Sequence, residues 1–268
     1  MTFFKDFFYA IRNSLKGITF IFEKGIWPYV FYPLILWLII WSLSVYMLTG
    51  LTDQIAEIIN IKLKIKNIPD SGDWLPFAKP FLTGYFSTII SFILKIVFIL
   101  ILSTFSKYMT FIFLSPFFSI LSESVEEKME GTKYPFSATQ LFKDIIRGIG
   151  ISIRNMAFEY FFIILCFAVT LCFPPIIVIT TPCLLFLSWY FTGVTILDYN
   201  FERHKMSIKG SVQFAKKYKG IVCGVGAVYS ILMMLPFFIG MMVGPIVAIV
   251  GATICFLEIN KNTKKAIS

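Results

Sequence analysis

The sequence predicts an all-α integral membrane protein built from an amphipathic N-terminal helix, two long transmembrane helices and two helical hairpins. Three observations carry this. Of 268 residues, 57% belong to the apolar set AVILMFWYC and only 15% are charged, against about 45–50% and about 25% in soluble domains. Four uncharged or nearly uncharged stretches are each long enough to meet a bilayer, and the 24 lysines and arginines gather mainly between them. The 31 Phe, 12 Tyr and 5 Trp exclude intrinsic disorder, because so much aromatic surface must be buried in something.

In residues 1–24, Phe3, Phe4, Phe7, Phe8, Ile11, Leu15, Ile18 and Phe22 recur at helical spacing, with Lys5, Arg12 and Lys16 opposite. That pattern fits a helix lying on the cytoplasmic leaflet, basic toward lipid phosphates and Phe-rich toward acyl chains. The same apolar face could equally pack on the protein's own helices. Gly25–Thr52 holds 28 uncharged residues, about 42 Å of helix against a hydrocarbon core of about 30 Å, and predicts a crossing over 27–49. Pro80–Ser122 is interrupted only by Lys95 and Lys107. It predicts a crossing over 84–106 and an extension toward Ser115-Pro116 that leaves the membrane. Tyr160–Leu197 and Ile221–Leu257, with 38 and 37 uncharged residues, are too long for one crossing. Pro174, Pro175 and Pro182 interrupt the first; Pro236, Gly240, Gly244 and Pro245 interrupt the second. Each therefore reads as a hairpin, over 160–197 and 221–257, within one membrane domain spanning 1–268.

The positive charges test this choice. If both late stretches are hairpins, one face of the membrane collects 18 basic residues and the other 4; if each crosses once, the split is 12 against 10. Only the hairpins give a positive-inside bias, and they place both termini in the cytoplasm, as in a multi-pass inner-membrane protein. The N-terminal stretch lacks the order and cleavage site of a signal peptide and is expected to persist.

Cys166, Cys172, Cys183, Cys223 and Cys255 show no metal-ligand spacing, and the single histidine, His204, sits between Arg203 and Lys205. No catalytic, metal or cofactor site is expected. Glu123, Glu126, Glu127 and Asp198 show no paired spacing that compels acid–base chemistry, so an enzyme is not expected. Lys95 stands out because it lies near the centre of IISFILKIVFILIL, where an ammonium is expensive unless it faces water, a carboxylate or an anion. The bland alternative is a helix that slides or tilts until Lys95 meets the interface. Lys62, Lys64 and Lys66 alternate with apolar residues and could funnel anions, although a solvated segment explains them more simply. The basic run with Arg203, Lys205, Lys209, Lys216, Lys217 and Lys219 fits lipid phosphates better than nucleic acid, as do Lys5, Arg12 and Lys16. The broken tip with Gly240, Gly244 and Pro245 offers free backbone groups that either line an aqueous path or serve close packing.

SPFFSILSESVEEKMEG (Ser115–Gly131), LDYNFERHKMS (Leu197–Ser207) and LPFFIGMMVGPIVAIVGAT (Leu235–Thr253) together resemble the CysZ-like sulfate permeases and the related etoposide-induced-protein domain. The similarity extends over nearly the whole chain, including the amphipathic N-terminus and Pro33 at the start of the first crossing. It implies two long transmembrane helices plus two hairpins that penetrate the membrane only partly, assembled as a homo-oligomer, and it implies sulfate uptake without an ATPase domain. The chain departs from the family at one point. Where those permeases follow a Gly-Leu pair with two arginines that contact sulfate, this chain follows Gly25-Ile26 with Trp27-Pro28. Lys24 is the nearest cation, though an ammonium lacks the planar fork that suits an oxyanion.

The expected function is a permease or channel for sulfate or a similar small anion, with Lys24, Lys95, Gly240, Gly244 and Pro245 as the candidate path. The alternative is a non-transporting membrane scaffold or envelope-assembly subunit that keeps the fold. The expected partners are the lipid bilayer, the anion and further copies of the chain.

Overall fold

The computed structural model describes residues 3–31, 35, 38, 39, 42, 86–132, 138–236 and 239–265, and for residues 86–98 it describes the helical backbone alone. The predicted 27–49 crossing lies mostly outside these residues, as do Lys62, Lys64, Lys66 and the side chain of Lys95. Among the described residues the regular structure is entirely helical: α1 (Phe3–Glu23), a 3₁₀ turn (Trp27–Val30), α2 (Phe86–Phe113), α3 (Ser115–Glu130), α4 (Ala138–Cys172), α5 (Ile177–Arg203), α6 (Ile208–Lys217), α7 (Lys219–Met233) and α8 (Ile239–Lys265).

The helix ends follow from local chemistry. Gly25 adopts φ +67° after α1, and the Gly25 and Ile26 amides bond back to the Phe22 and Ile21 carbonyls, closing the helix in a Schellman motif. Ile26 and Ile21 are both buried and supply its apolar contact. Pro116 stands near the start of α3, where the chain bends by 65° between Ile99–Phe113 and Ser115–Glu130. The departure predicted near Ser115-Pro116 is therefore a sharp corner, and proline suits the first turn because its missing N–H has no helical partner there. Pro174 and Pro175 form the turn between α4 and α5. Pro182, expected as a further interruption, instead lies inside α5, and Pro245 lies inside α8. A proline removes one hydrogen bond, which a helix supported by its neighbours tolerates.

α4 packs along α5 and α7 along α8, two helical hairpins, and the limbs of the first extend beyond the 160–197 stretch. Ile145–Thr170 and Ile177–Arg203 are long and apolar enough to cross a membrane, as is Met242–Asn262 in the second hairpin. The other limb, α7, has 15 residues, about 22 Å, which is shorter than a hydrocarbon core of about 30 Å. The two hairpins also differ in exposure. Only 17% of the apolar window in Ile177–Arg203 is buried, against 83% in Met242–Asn262, so α8 is the central helix and α4–α5 turns an apolar flank outward.

Glycines set how closely these helices approach. A Cβ on Gly226 of α7 would lie 1.9 Å from the Trp189 carbonyl oxygen of α5, and one on Gly193 of α5 would lie 1.9 Å from the Val222 carbonyl oxygen of α7. The other side of α7 meets α1: a Cβ on Gly224 would stand 2.7 Å from Ala10 Cβ and from the Phe7 carbonyl oxygen. Gly251 brings α8 equally close to Ser14 of α1.

This explains the orientation of α1. Its inward side carries Asp6, Ala10, Asn13, Ser14, Gly17 and Ile21, while Phe4, Phe8, Leu15 and Phe22 are exposed. Lys5, Arg12 and Lys16 are exposed as well. At 100° per residue the four apolar side chains and the three cations form adjacent strips on the outer face. Small residues make the closest contacts with the protein, and Phe7, at the margin of the inward face, meets Trp189 of α5.

Gly226→Val should force α5 and α7 apart and cost about 1–3 kcal/mol or more, read as a lower unfolding temperature in detergent, whereas the outward Thr19→Val should change it little. Burial raises the Asp6 carboxyl above the usual carboxylate range, opposed by the charge of Lys5. Its neutral form thus favours the docked helix; the contribution is fully present below the unfolded-chain pKa and is lost as pH rises through the raised folded value. Hydrogen exchange in the first turns of α1 should accelerate across that window, and Asp6→Asn should flatten the dependence.

Candidate functional site

A cavity of about 670 Å³ lies between α2, α4, α5 and α7. Its walls include Ile99, Leu100, Leu102, Leu184, Leu185 and Met233, and one part carries Lys107 and Glu159. The Lys107 ammonium donates to both Glu159 carboxylate oxygens at 2.8 Å and to Ser188 Oγ at 3.2 Å. Tyr108 donates its hydroxyl proton to the same carboxylate at 2.8 Å, and Lys107 Nζ stands 4.7 Å from the Tyr108 ring centroid. The two side chains are 11% and 4% exposed, so the charges compensate each other inside an apolar stretch where either alone would be costly. Ser106, also in the lining, is buried and its Oγ has no partner among the described residues.

Lys107 of α2, bonded to Glu159 of α4 and Ser188 of α5, is the first rung of a polar seam between α4 and α5. One turn along, Asn155 donates to Thr195 Oγ1 at 2.9 Å, and Arg154 donates to Asn155 Oδ1 at 3.1 Å. Farther on, Arg147 pairs with Asp198 at 3.1 Å and donates to Ser211 Oγ at 2.9 Å and to the Met206 carbonyl. From Glu159 to Arg147 is about 18 Å along α4. Thr192 Oγ1, Asp198 Oδ2 and Arg147 Nε, all buried near the seam, lack a hydrogen-bond partner among the described residues.

A second buried network ties α3 to α5 and α8. Glu126, 1% exposed, forms an ion pair with Arg203, whose Nε stands 3.1 Å away, and lies 3.2 Å from His204 Nε2. Ser122 donates to Asn200 Oδ1 at 3.1 Å, shares a hydrogen with Thr253 at 3.1 Å, and receives Arg203. The motif residues of Ser115–Gly131 and Leu197–Ser207 thus meet one another in the fold. Tyr9 and Asn13 of α1 both donate to Glu258 of α8, which fixes the N-terminal helix to the central one.

The residues singled out in the sequence are dispersed. Lys24 is exposed beyond α1, where its carbonyl accepts from Lys128. Lys95 lies on α2, 12 positions before Lys107. Gly240 and Gly244 are buried against Leu232 and Met233 of α7, the close contact of the packing alternative, and Pro245 continues α8. Neither these nor Lys24 line the cavity. Lys205, Lys216 and Lys217 are exposed, whereas Arg203 turns inward onto Glu126. The Gly25 and Ile26 amides next to the missing arginine pair are committed to capping α1. In the sequence Lys107 reads only as an interruption of an apolar stretch, and Glu159, Arg147 and Asn155 read as no site at all. A signal was present: Lys107 and Glu159 are charges at opposite margins of apolar runs, each needing a partner of the other sign.

Among the described residues, an all-helical fold with three helices fit to cross a bilayer, and ion pairs enclosed between helices, defines an integral membrane protein with a polar interior. Residues 13–243 match the family described as Sulfate transporter CysZ/Etoposide-induced protein 2.4, and the chain belongs to that family. No curated protein matches it. Among the described residues no three His, Cys, Asp or Glu side chains gather to hold a metal.

Removing one member of the buried pair should be far worse than removing both. Lys107→Met strands the Glu159 charge and should cost about 3–5 kcal/mol, while Lys107→Met with Glu159→Gln should lie much closer to the parent; thermal unfolding of the purified variants reads the difference.

Proposed function

We propose that the protein is a membrane permease or channel for sulfate or a similar small anion. One observation carries the reading: a seam of charged and hydroxylic side chains runs for about 18 Å between two helices long and apolar enough to cross the bilayer. Polar groups at such depth are costly and are retained where they line an ion path. Membership in a family described by a sulfate transporter supports the substrate class.

In this mechanism the anion enters the cavity, where Lys107 and the hydroxyls of Ser106 and Ser188 replace part of its hydration shell. Glu159 already holds Lys107 and Asp198 already holds Arg147, so each cation is shared between its carboxylate and the passing anion. Sharing keeps binding weak enough for release, which conduction requires. Lys95, on the same helix, extends the path beyond the cavity. Lys5, Arg12, Lys16, Lys205, Lys216 and Lys217, all exposed, rest on lipid phosphates of the cytoplasmic leaflet, with both termini on that side and several copies assembled in the inner membrane. The scaffold alternative draws on the missing arginine pair and on the committed Gly25 and Ile26 amides.

Labelled sulfate uptake into proteoliposomes, with chloride and phosphate as competitors and empty liposomes as control, separates the two. Saturable uptake is expected, and Lys107→Met with Glu159→Gln should lower it at least about tenfold, the worth of one charge-assisted hydrogen bond. Lys95→Met should reduce it as well. Absence of flux from a folded parent protein would favour the scaffold, and unchanged flux in Lys95→Met would remove Lys95 from the path.

A further inference from the structure

The seam between α4 and α5 holds two ion pairs and one further cation. Lys107 is balanced by Glu159 and Arg147 by Asp198, whereas Arg154, seven positions after Arg147 on α4, forms no ion pair among the described residues. Asp198 also acts on Arg154 through space, so one carboxylate serves two guanidinium groups and this part of the seam keeps one positive charge in excess. Arg154 lies nine positions into Ile145–Thr170, a helix long and apolar enough to cross the bilayer, about 14 Å along its axis. A cation at that depth is costly unless water or an anion meets it.

The side chain is held in a fixed direction. Asn155 Oδ1 accepts from Arg154 Nη2 at 3.1 Å and from Nε at 3.4 Å, and Asn155 is itself tied to α5, donating to Thr195 Oγ1 at 2.9 Å and to the Phe191 carbonyl at 3.5 Å. One edge of the guanidinium is thereby taken. The other edge, Nη1 with the second hydrogen of Nη2, has no partner among the described residues, and it can be reached: Arg154 is partly exposed, and its Nη1, unlike Arg147 Nε, is not among the buried polar atoms left without a partner. Two coplanar N–H groups match two oxygens of one tetrahedral oxyanion, a fit that an ammonium lacks. We infer that Arg154 is an oxyanion-binding residue that holds two oxygens of a tetrahedral oxyanion on its Nη1–Nη2 edge. Sulfate in solution and the phosphate head of a membrane lipid share that chemistry. Sulfate as the ligand rests on the transport reading, in which Arg154 sets the preference of the seam for oxyanions over halides; the lipid phosphate does not.

The test measures equilibrium binding of labelled sulfate to the full chain, purified in detergent and stripped of lipid, with chloride as competitor; retention of added phosphatidylglycerol is read by native mass spectrometry. Arg154→Lys, which keeps the charge and loses the planar edge, should weaken sulfate binding about tenfold, the worth of one charge-assisted hydrogen bond, and leave competition by chloride nearly unchanged. Arg154→Gln should weaken both. Lys143→Gln, which removes an exposed cation from the same helix, should change neither, and unfolding temperatures show which variants are folded. A parent that binds no sulfate but retains phosphatidylglycerol, and loses it in Arg154→Gln, identifies the lipid phosphate as the oxyanion. Sulfate binding that depends on Arg154 without flux in proteoliposomes keeps the contact and removes the transport reading. Sulfate binding and flux that are both unchanged in folded Arg154→Lys and Arg154→Gln keep transport and overturn the contact. Equal weakening of sulfate and chloride in Arg154→Lys overturns the two-oxygen edge, and a parent that holds neither sulfate nor phosphatidylglycerol through Arg154 overturns the inference outright.

Discussion

The architecture depends on how closely the backbones around α7 approach. Gly226 and Gly193 let α5 and α7 meet at a distance that no side chain permits, and Gly224 does the same for α1. In a bilayer, burying apolar surface between helices provides little drive, because lipid tails are as apolar as leucine; close van der Waals contact at small residues has to hold the helices instead. That requirement accounts for an N-terminal helix that contacts the protein through Ala10, Ser14 and Gly17 while Phe4, Phe8 and Phe22 face outward. It also accounts for the shortness of α7, which serves as a packing element between longer neighbours.

Once the helices are this close, polar side chains at the contacts must find partners within the protein. Glu126 with Arg203, Arg147 with Asp198, and Lys107 with Glu159 each join residues from different helices, so the ion pairs fix which helix faces which. A pair of this kind adds little net stability over an apolar contact, yet breaking it leaves a lone charge indoors. The seam between α4 and α5 therefore acts both as a constraint on register and as the polar route on which the proposed transport relies. The cavity at the Lys107–Glu159 end of the seam lies between α2, α4, α5 and α7, with mostly apolar walls.

Much of the fold is legible in the sequence because a bilayer imposes simple rules. The turn at Pro174-Pro175, the corner near Pro116 and the two hairpins follow from stretch length, proline position and the distribution of Lys and Arg. Pro182 and Pro245 misled, because proline ends a helix only where nothing else supports it. The site was much less legible. Lys95 drew attention as the charge deepest in an apolar run, while Lys107 and Glu159, at the margins of two such runs 52 positions apart, become informative only as a pair. Arg203 read as one more surface cation in a basic run, and only its position opposite Glu126 turns it into an interior group.

By itself the sequence determined the class: a helical membrane protein with hairpins, because hydropathy, helix length and charge asymmetry act along the chain and need no knowledge of contacts. It also carried the family resemblance, which rests on residue order. Only the tertiary structure decided which charges neutralise one another, which face of α1 is inside and where a cavity remains. Those properties depend on distances between residues remote in sequence, and helix packing sets such distances through the shape of every side chain at the contact.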